Sequence, residues 1–214
     1  MNKKKIVTMV VALGMVAVIG LGATLAYMSS TTAKKTNTFT VGKVDATLVE
    51  KTDGGKDWDD ATDGKNMYPG QSVVKEPQLS IVANSADAYA YIKVEGADAL
   101  VTQGFIITSG ITMNEIKGTT VSALSKDWIK VTTEQGLDGL YRYQGAKATQ
   151  GIVKKAAKDT ELTNPIFDLV TYGDEQEGGT VALESNYITV SGYAVQAEGV
   201  DVKDADARAI ALSK

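Results

Sequence analysis

Short runs of β-branched and aromatic residues recur along the chain from residue 36 onward, separated by glycine, asparagine and aspartate. Such runs are typical of β-strands joined by turns. The clearest is AYAYIKVE (88–95), in which Ala90, Ile92 and Val94 alternate with residues of the opposite parity. This period of two predicts a strand with one face buried and the other facing water, as in an antiparallel sheet.

Other segments support the same fold class. Further strands are predicted at LSIVA (79–83), WIKVTT (128–133), LYRYQ (140–144) and NYITVSGYAVQA (186–197). The second and third of these form a hairpin-like pair, and Tyr68-Pro69-Gly70-Gln71 predicts a turn. Helices are expected at 98–104 and in the C-terminal DVKDADARAIALSK, which Asp201 or Asp204 can cap. We therefore expect an all-β fold, an antiparallel β-sandwich with small helical insertions and a short C-terminal helix.

The N-terminal segment has the pattern of an export signal. A basic start (KKK, 3–5) precedes an uncharged apolar run over residues 6–25, and small residues lead to Ala26. We expect cleavage between Ala26 and Tyr27. The precursor would then be inserted in the membrane only transiently, and the mature protein would be secreted to the cell surface or the extracellular matrix. The alternative is a transmembrane anchor, because twenty uncharged residues could just span a bilayer.

These boundaries give a simple domain organisation: a signal peptide (1–26), a polar spacer (27–35) and a single domain (36–214) whose first strand covers 36–49. That strand carries two sets of apolar residues. Phe39 and Val41 stand at odd-numbered positions, whereas Val44, Ala46 and Leu48 stand at even-numbered positions, so in a regular strand the two sets would face opposite sides. The parity changes at Gly42-Lys43. A bulge opened by Gly42 would return both sets to one face, or Gly42 ends one strand and Lys43 begins another.

Composition excludes several classes of function. The 214 residues include no cysteine and no histidine, so disulfides, the common zinc sites and nucleophile pairs that need an imidazole base are excluded. Loss of the three leader lysines lowers the formal net charge from −4 to −7, which disfavours nucleic acid as a partner. We therefore expect no enzymatic activity and no cofactor.

Two groups of side chains are compatible with an alternative function, that of a monomeric cell-surface adhesin or of a glycan- or calcium-binding module. The loop 52–66 is rich in aspartate, and Asp57, Asp59 and Asp63 are weak calcium candidates because their spacing fits no standard calcium loop. Six tyrosines on predicted strands could form a sugar-stacking face or pack across strands; they are Tyr89, Tyr91, Tyr141, Tyr143, Tyr187 and Tyr193.

The leader and first strand resemble a family of exported proteins. The segment LAYMSSTTAKKTNTFTVGKVDATL is similar to the TasA, camelysin and BsaA group of Gram-positive bacteria, in which a strand reads roughly N-x-F-x-x-G-x-(V/L)-D. Here the matching positions are Asn37, Phe39, Gly42, Val44 and Asp45. Residues 67–94, 164–174 and 187–200 resemble the BsaA-like biofilm matrix subset. The chain departs from the pattern in its last helix, where Ala207-Arg208 stands in place of a frequent tryptophan.

The resemblance implies a jelly-roll-like sandwich and a function in biofilm matrix fibres. It implies processing by a dedicated signal peptidase, SipW, and head-to-tail homopolymers in which the N-terminal donor strand of one subunit enters the sheet of the next. Matrix polysaccharide or an accessory matrix protein would be further partners. The resemblance and the tethered apolar strand together predict an assembly strand. Its residues are Asn37, Phe39, Val41, Gly42, Val44, Ala46 and Leu48.

Overall fold

The computed structural model describes residues 44–82, 85–112, 115–116, 121–154, 161–173 and 187–214. These described residues all belong to one compact unit. The predicted signal peptide, the Ala26–Tyr27 cleavage site and the spacer 27–35 lie outside the described residues. Within the described ranges no helix is long and apolar enough to cross a bilayer, and the apolar run 6–25 falls outside them.

Regular structure in the described residues consists of twelve strands and two α-helices. The strands are β1 (Ala46–Lys51), β2 (Ser72–Val74), β3 (Glu76–Ile81), β4 (Ala88–Glu95), β5 (Phe105–Thr108), β6 (Trp128–Lys130), β7 (Gly139–Tyr143), β8 (Ala148–Thr149), β9 (Ile152–Val153), β10 (Glu161–Leu162), β11 (Leu169–Tyr172) and β12 (Thr189–Gln196). The helices are α1 (Ala97–Thr102) and α2 (Val202–Leu212), and a 3-10 turn spans Asp53–Gly55.

The strands form three antiparallel sheets. Sheet A has the order β1-β3-β10, and sheet B has the order β2-β11-β5. Sheet C is centred on β4, which pairs with β12 along one edge and with β7 and β9 along the other. The expectation of an all-β protein with few helices is therefore confirmed.

Several local features have the chemistry that the sequence indicated. At the predicted turn, the Gln71 amide donates to the Tyr68 carbonyl at 2.9 Å, and Gly70 has φ +81°, which suits glycine at the third turn position. Strands β6 and β7 form the predicted hairpin, with Trp128 opposite Tyr143. Helix α2 begins after Asp201, whose side chain accepts from the Asp204 amide at 2.8 Å. Asp201 is therefore the N-cap residue, and the Asp204 backbone amide donates the capping hydrogen bond.

The prediction that one face of β4 is exposed to solvent is wrong. Ala90, Ile92 and Val94 are buried in the main core, but Tyr89 and Tyr91 on the opposite face are buried as well. They pack in a second apolar cluster with Val195 and with residues of α2. The C-terminal helix covers this face, so only the Glu95 end of β4 is exposed.

The main core combines side chains from all three sheets. It contains Leu79 and Ile81 of β3, the inner face of β4, Ile107 of β5 and Val170 of β11. Strand β1 also contributes to this core, because Ala46 and Leu48 pack against it. The first described strand is therefore part of the hydrophobic interior.

Candidate functional site

Strand β1 lies at an edge of sheet A. It pairs with one described strand, β3, in a register that runs from Ala46 opposite Ile81 to Lys51 opposite Glu76. An edge strand presents one row of backbone N–H and C=O groups that another strand can pair with. Residues Val44, Ala46 and Leu48 of the predicted assembly strand are described. The other four, Asn37, Phe39, Val41 and Gly42, lie outside the described residues, as does the proposed bulge.

The apolar face of β1 lies against the core at a point where the backbones come close. Val44, Ala46 and Leu48 are half-buried and pack against the main cluster. A Cβ added at Gly192 of β12 would overlap Leu79 Cδ1 and would lie 3.6 Å from Leu48 Cβ. Glycine at 192 thus allows β12 to approach the β1–β3 pair. Val44, Ala46 and Leu48 are spaced two residues apart, and this spacing predicted that their side chains lie on one face of the strand.

Polar contacts hold both ends of β1. At its start, the Asp45 carbonyl accepts from the Val82 amide at 3.0 Å, and the Asp45 amide donates to Ser85 Oγ at 3.0 Å. At its end, Glu50 pairs with the buried Lys75 at 2.9 Å, and Lys51 pairs with Asp57. The middle of β1 is held by its backbone pairing with β3 of the same chain.

One carboxylate beside this pair has an unfavourable environment. Burial raises the pKa of Glu76 above its usual value, and the nearby negative charge of Asp168 raises it further. The Asp168 carboxylate is itself fixed, since it accepts from the Gly110 amide at 2.8 Å. The ionised form of Glu76 is therefore less favourable in the folded protein than in the unfolded chain.

The calcium candidates do not converge. Asp57 pairs with Lys51, whereas Asp59 accepts from the Ala61 amide and its own amide donates to Asp63. Among the described residues, no three acidic side chains lie close enough together to hold a metal ion. The loop aspartates instead stabilise local turns.

Of the two alternatives for the six tyrosines, burial favours packing over a sugar-stacking face for four of them. Tyr89, Tyr91, Tyr141 and Tyr143 are buried, with Tyr91 fully inaccessible, so none of them can stack on a ligand. Tyr193 is half-buried beside the second cluster. Only Tyr187 is exposed, and it stands apart from the other tyrosines of that set at the start of β12.

Tyr187 instead lines a cleft that the strand patterns in the sequence did not indicate. The cleft has a volume of about 560 Å³ and lies between loop 58–67 and sheet B, with Trp58, Phe105 and Tyr172 among its lining residues. A lone tryptophan in an aspartate-rich loop is the one sequence signal that could have indicated it. The other aromatic residues come from distant parts of the chain, so no local pattern connects them.

No family model, curated protein or solved structure matches this chain.

Proposed function

We propose that this chain is a secreted structural subunit of an extracellular biofilm matrix fibre, and that it polymerises by donating its N-terminal strand. In this proposal the protein is a non-enzymatic, jelly-roll-like β-sandwich released by a dedicated signal peptidase. Residues 36–49 of one subunit pair with β3 of the next, which replaces the pairing seen within one chain. The observation that carries the proposal is that β1, the first strand among the described residues, is an edge strand with an apolar face.

The contacts of β1 support an exchange of this kind. Its pairing with β3 joins residues about thirty positions apart, from Ala46–Ile81 to Lys51–Glu76. The same six pairs can form between two copies, because an exchanged strand finds the same partner groups in a neighbour. Head-to-tail exchange leaves one donor strand and one acceptor edge at the ends of each oligomer, so it extends as a filament.

Residue chemistry supports a structural role over catalysis. The chain has no histidine or cysteine to act as base, nucleophile or soft metal ligand. The signal pattern and the family resemblance supply the extracellular setting. Cleavage after Ala26 would then release the strand from the membrane and permit assembly.

A reversible cross-link between β1 and β3 tests strand donation directly. The chain has no native cysteine, and Thr47 lies opposite Ser80, so Thr47→Cys with Ser80→Cys creates a unique pair within disulfide range. Monomer oxidised before assembly should remain monomeric by electron microscopy and should form fibres once reduced. Fibres assembled first and then oxidised should run as a covalent ladder on a non-reducing gel.

A second cross-link serves as the matched control. Glu95 and Thr189 are both exposed and lie opposite each other on β4 and β12. Oxidised Glu95→Cys with Thr189→Cys should assemble normally, because that pair is not exchanged. Fibres from the oxidised 47–80 variant would overturn strand donation, as would fibres from a protein lacking residues 27–49. A strictly monomeric mature protein at high concentration would overturn the proposed function itself.

A further inference from the structure

The cleft between loop 58–67 and sheet B has an apolar floor and a polar mouth. Its volume of about 560 Å³ lies within the usual range for small-molecule sites. The floor is built from strands β2, β5 and β11 and from helix α1, through Val73, Leu100, Phe105, Val170 and Tyr172. The ring centroids of Phe105 and Tyr172 are 4.8 Å apart, and the rings are nearly parallel. Their stacking holds both rings in fixed positions in the floor of the cleft.

Two more aromatic side chains stand at the mouth. Trp58 is half-buried and is fixed in place, because its Nε1 donates to Asp60 at 2.8 Å and Lys75 Nζ lies 4.0 Å from its ring centroid. Tyr187 is 66% exposed and lines the same cleft. An exposed aromatic ring at a pocket mouth is available to stack on a ligand face, and it loses little side-chain entropy on binding.

The charges around the mouth restrict the ligand. Asp60 and Asp63 supply carboxylate oxygens, Lys65 is exposed, and the charge of Lys75 is paired with Glu50 at 2.9 Å. Anionic ligands such as phosphates or uronic acids therefore meet carboxylates without a free cluster of cations. Carboxylates accept hydrogen bonds from hydroxyl and ammonium groups, so they favour polyhydroxylated or amino-bearing ligands.

We propose that this cleft binds a short saccharide that is neutral or carries amino groups. Sugar rings present an apolar C–H face and a belt of hydroxyls, which match an aromatic surface beside hydrogen-bond acceptors. One ring face packs on Tyr187 and Trp58, and the hydroxyl or amino groups donate to Asp60 and Asp63. None of the described residues of the donor strand, 44–49, lines the cleft, so the site is separate from that part of the strand.

Titration calorimetry on the oxidised Thr47→Cys, Ser80→Cys monomer separates this site from fibre assembly. The probes are tetrasaccharides of glucose, N-acetylglucosamine, glucosamine and galacturonic acid. We expect one or more of the first three to bind and galacturonic acid not to bind. Binding of the galacturonic acid probe alone, or of none of the four, would overturn the proposal whether or not the reduced protein forms fibres.

Two exposed tyrosines provide a matched pair of variants. Tyr187 lines the cleft, whereas Tyr68 is 70% exposed on the neighbouring turn and does not line it. Tyr187→Ala should weaken saccharide binding roughly 2- to 10-fold, the effect of one aromatic contact, while Tyr68→Ala should leave it unchanged. Equal affinities for the two variants, whether both reduced or both unchanged, would overturn the location of the site.

The carboxylates have their own test. Asp60→Asn with Asp63→Asn should weaken binding of the glucosamine probe more than binding of the N-acetylated probe, because only the free amine is charged. If glucosamine is not a ligand, the same variant should weaken binding of the neutral probe, because amide groups are poorer acceptors than carboxylates. Unchanged affinity for the bound probe would overturn the assigned role of Asp60 and Asp63.

Discussion

Glu50 and Glu76 lie at the same end of the β1–β3 pair, but their carboxylates have opposite surroundings. Glu50 on β1 is paired with Lys75, whose side chain is buried. Glu76 on β3 lies near Asp168, and its pKa is raised by burial and by that second carboxylate. The same substitution, Glu to Gln, should therefore change stability in opposite directions at the two positions.

Glu76→Gln should stabilise the protein at neutral pH. A carboxyl whose folded-state pKa is raised favours the folded state when protonated, so stability is lost as pH rises from the ordinary value of 4.5 through the raised pKa. The glutamine variant carries no such penalty. Urea unfolding at a series of pH values should show a higher midpoint for the variant at pH 7, with the difference vanishing well below pH 4.5. A lower midpoint at pH 7 would show that the carboxylate is stabilising.

Glu50→Gln should destabilise the protein at neutral pH by about 2 kcal/mol, since it leaves the buried ammonium of Lys75 without its carboxylate. The free energy of unfolding in urea measures this loss. Lys75→Met together with Glu50→Gln should recover part of it, because the double variant has no unpaired buried charge. A double variant less stable than Glu50→Gln alone would mean that Lys75 acts mainly through its contact with the Trp58 ring.

The sequence could not distinguish these two glutamates. Glu50 directly follows the predicted first strand (36–49) and Glu76 precedes the predicted strand 79–83, and each stands next to a lysine along the chain. Their difference comes from two neighbours in the folded protein. Lys75 pairs with Glu50, whereas the charge of Asp168 acts on Glu76. Charge environment at the residue scale thus depends on tertiary contacts that local patterns do not contain.

At the scale of elements, helix α2 decides the environment of β4. Asp206 accepts hydrogen bonds from both Tyr91 and Arg142 at 2.8 Å, and Lys93 donates to the Ser213 carbonyl at 2.9 Å. Burial, together with the Asp206 hydrogen bond, raises the pKa of Tyr91, so its hydroxyl remains a donor. These polar contacts fix the helix over the aromatic face of β4.

Asp206→Ala should cost about 2 kcal/mol of unfolding free energy, because it leaves the nearly buried Arg142 guanidinium without its carboxylate and removes the Tyr91 partner. It should also make the helix the first part to open, which raises amide exchange in residues 202–212 and in β12. Asp204→Ala is the matched control, since the Asp204 side chain is exposed and only its amide is used by the Asp201 cap. Equal losses for the two variants would contradict a specific role for Asp206.

Elements were predicted better than their surroundings. The bounds of β4, the β6–β7 hairpin and an aspartate cap on α2 follow from period, turn residues and capping chemistry, all of which are local; the choice of Asp201 over Asp204 came from the structure. The wet face of β4 was predicted wrongly because alternation of alanine and tyrosine does not reveal that a helix more than a hundred residues later covers the tyrosines. The cleft was missed for the same reason, since Trp58, Phe105, Tyr172 and Tyr187 meet only in the folded chain.

At the scale of the whole molecule, net charge sets how readily identical subunits meet. The chain has a formal net charge of −4, and cleavage after Ala26 would make it −7. Identical acidic subunits repel one another, and salt shortens the range of that repulsion from about 30 Å near 10 mM to about 8 Å near 150 mM. The proposed strand exchange would depend on backbone pairing and apolar contacts, which salt weakens little.

Fibre formation by the mature protein should therefore be faster at about 150 mM than at about 10 mM sodium chloride, because the Debye length falls roughly fourfold. Light scattering during assembly, followed by electron microscopy, measures the rate and identifies the product. The oxidised Thr47→Cys, Ser80→Cys variant should stay monomeric at both concentrations, which separates strand exchange from salt-induced aggregation. Slower assembly at the higher concentration would mean that attraction between opposite charges on neighbouring subunits outweighs their net repulsion, so the contact would include ion pairs beyond the β1–β3 ladder.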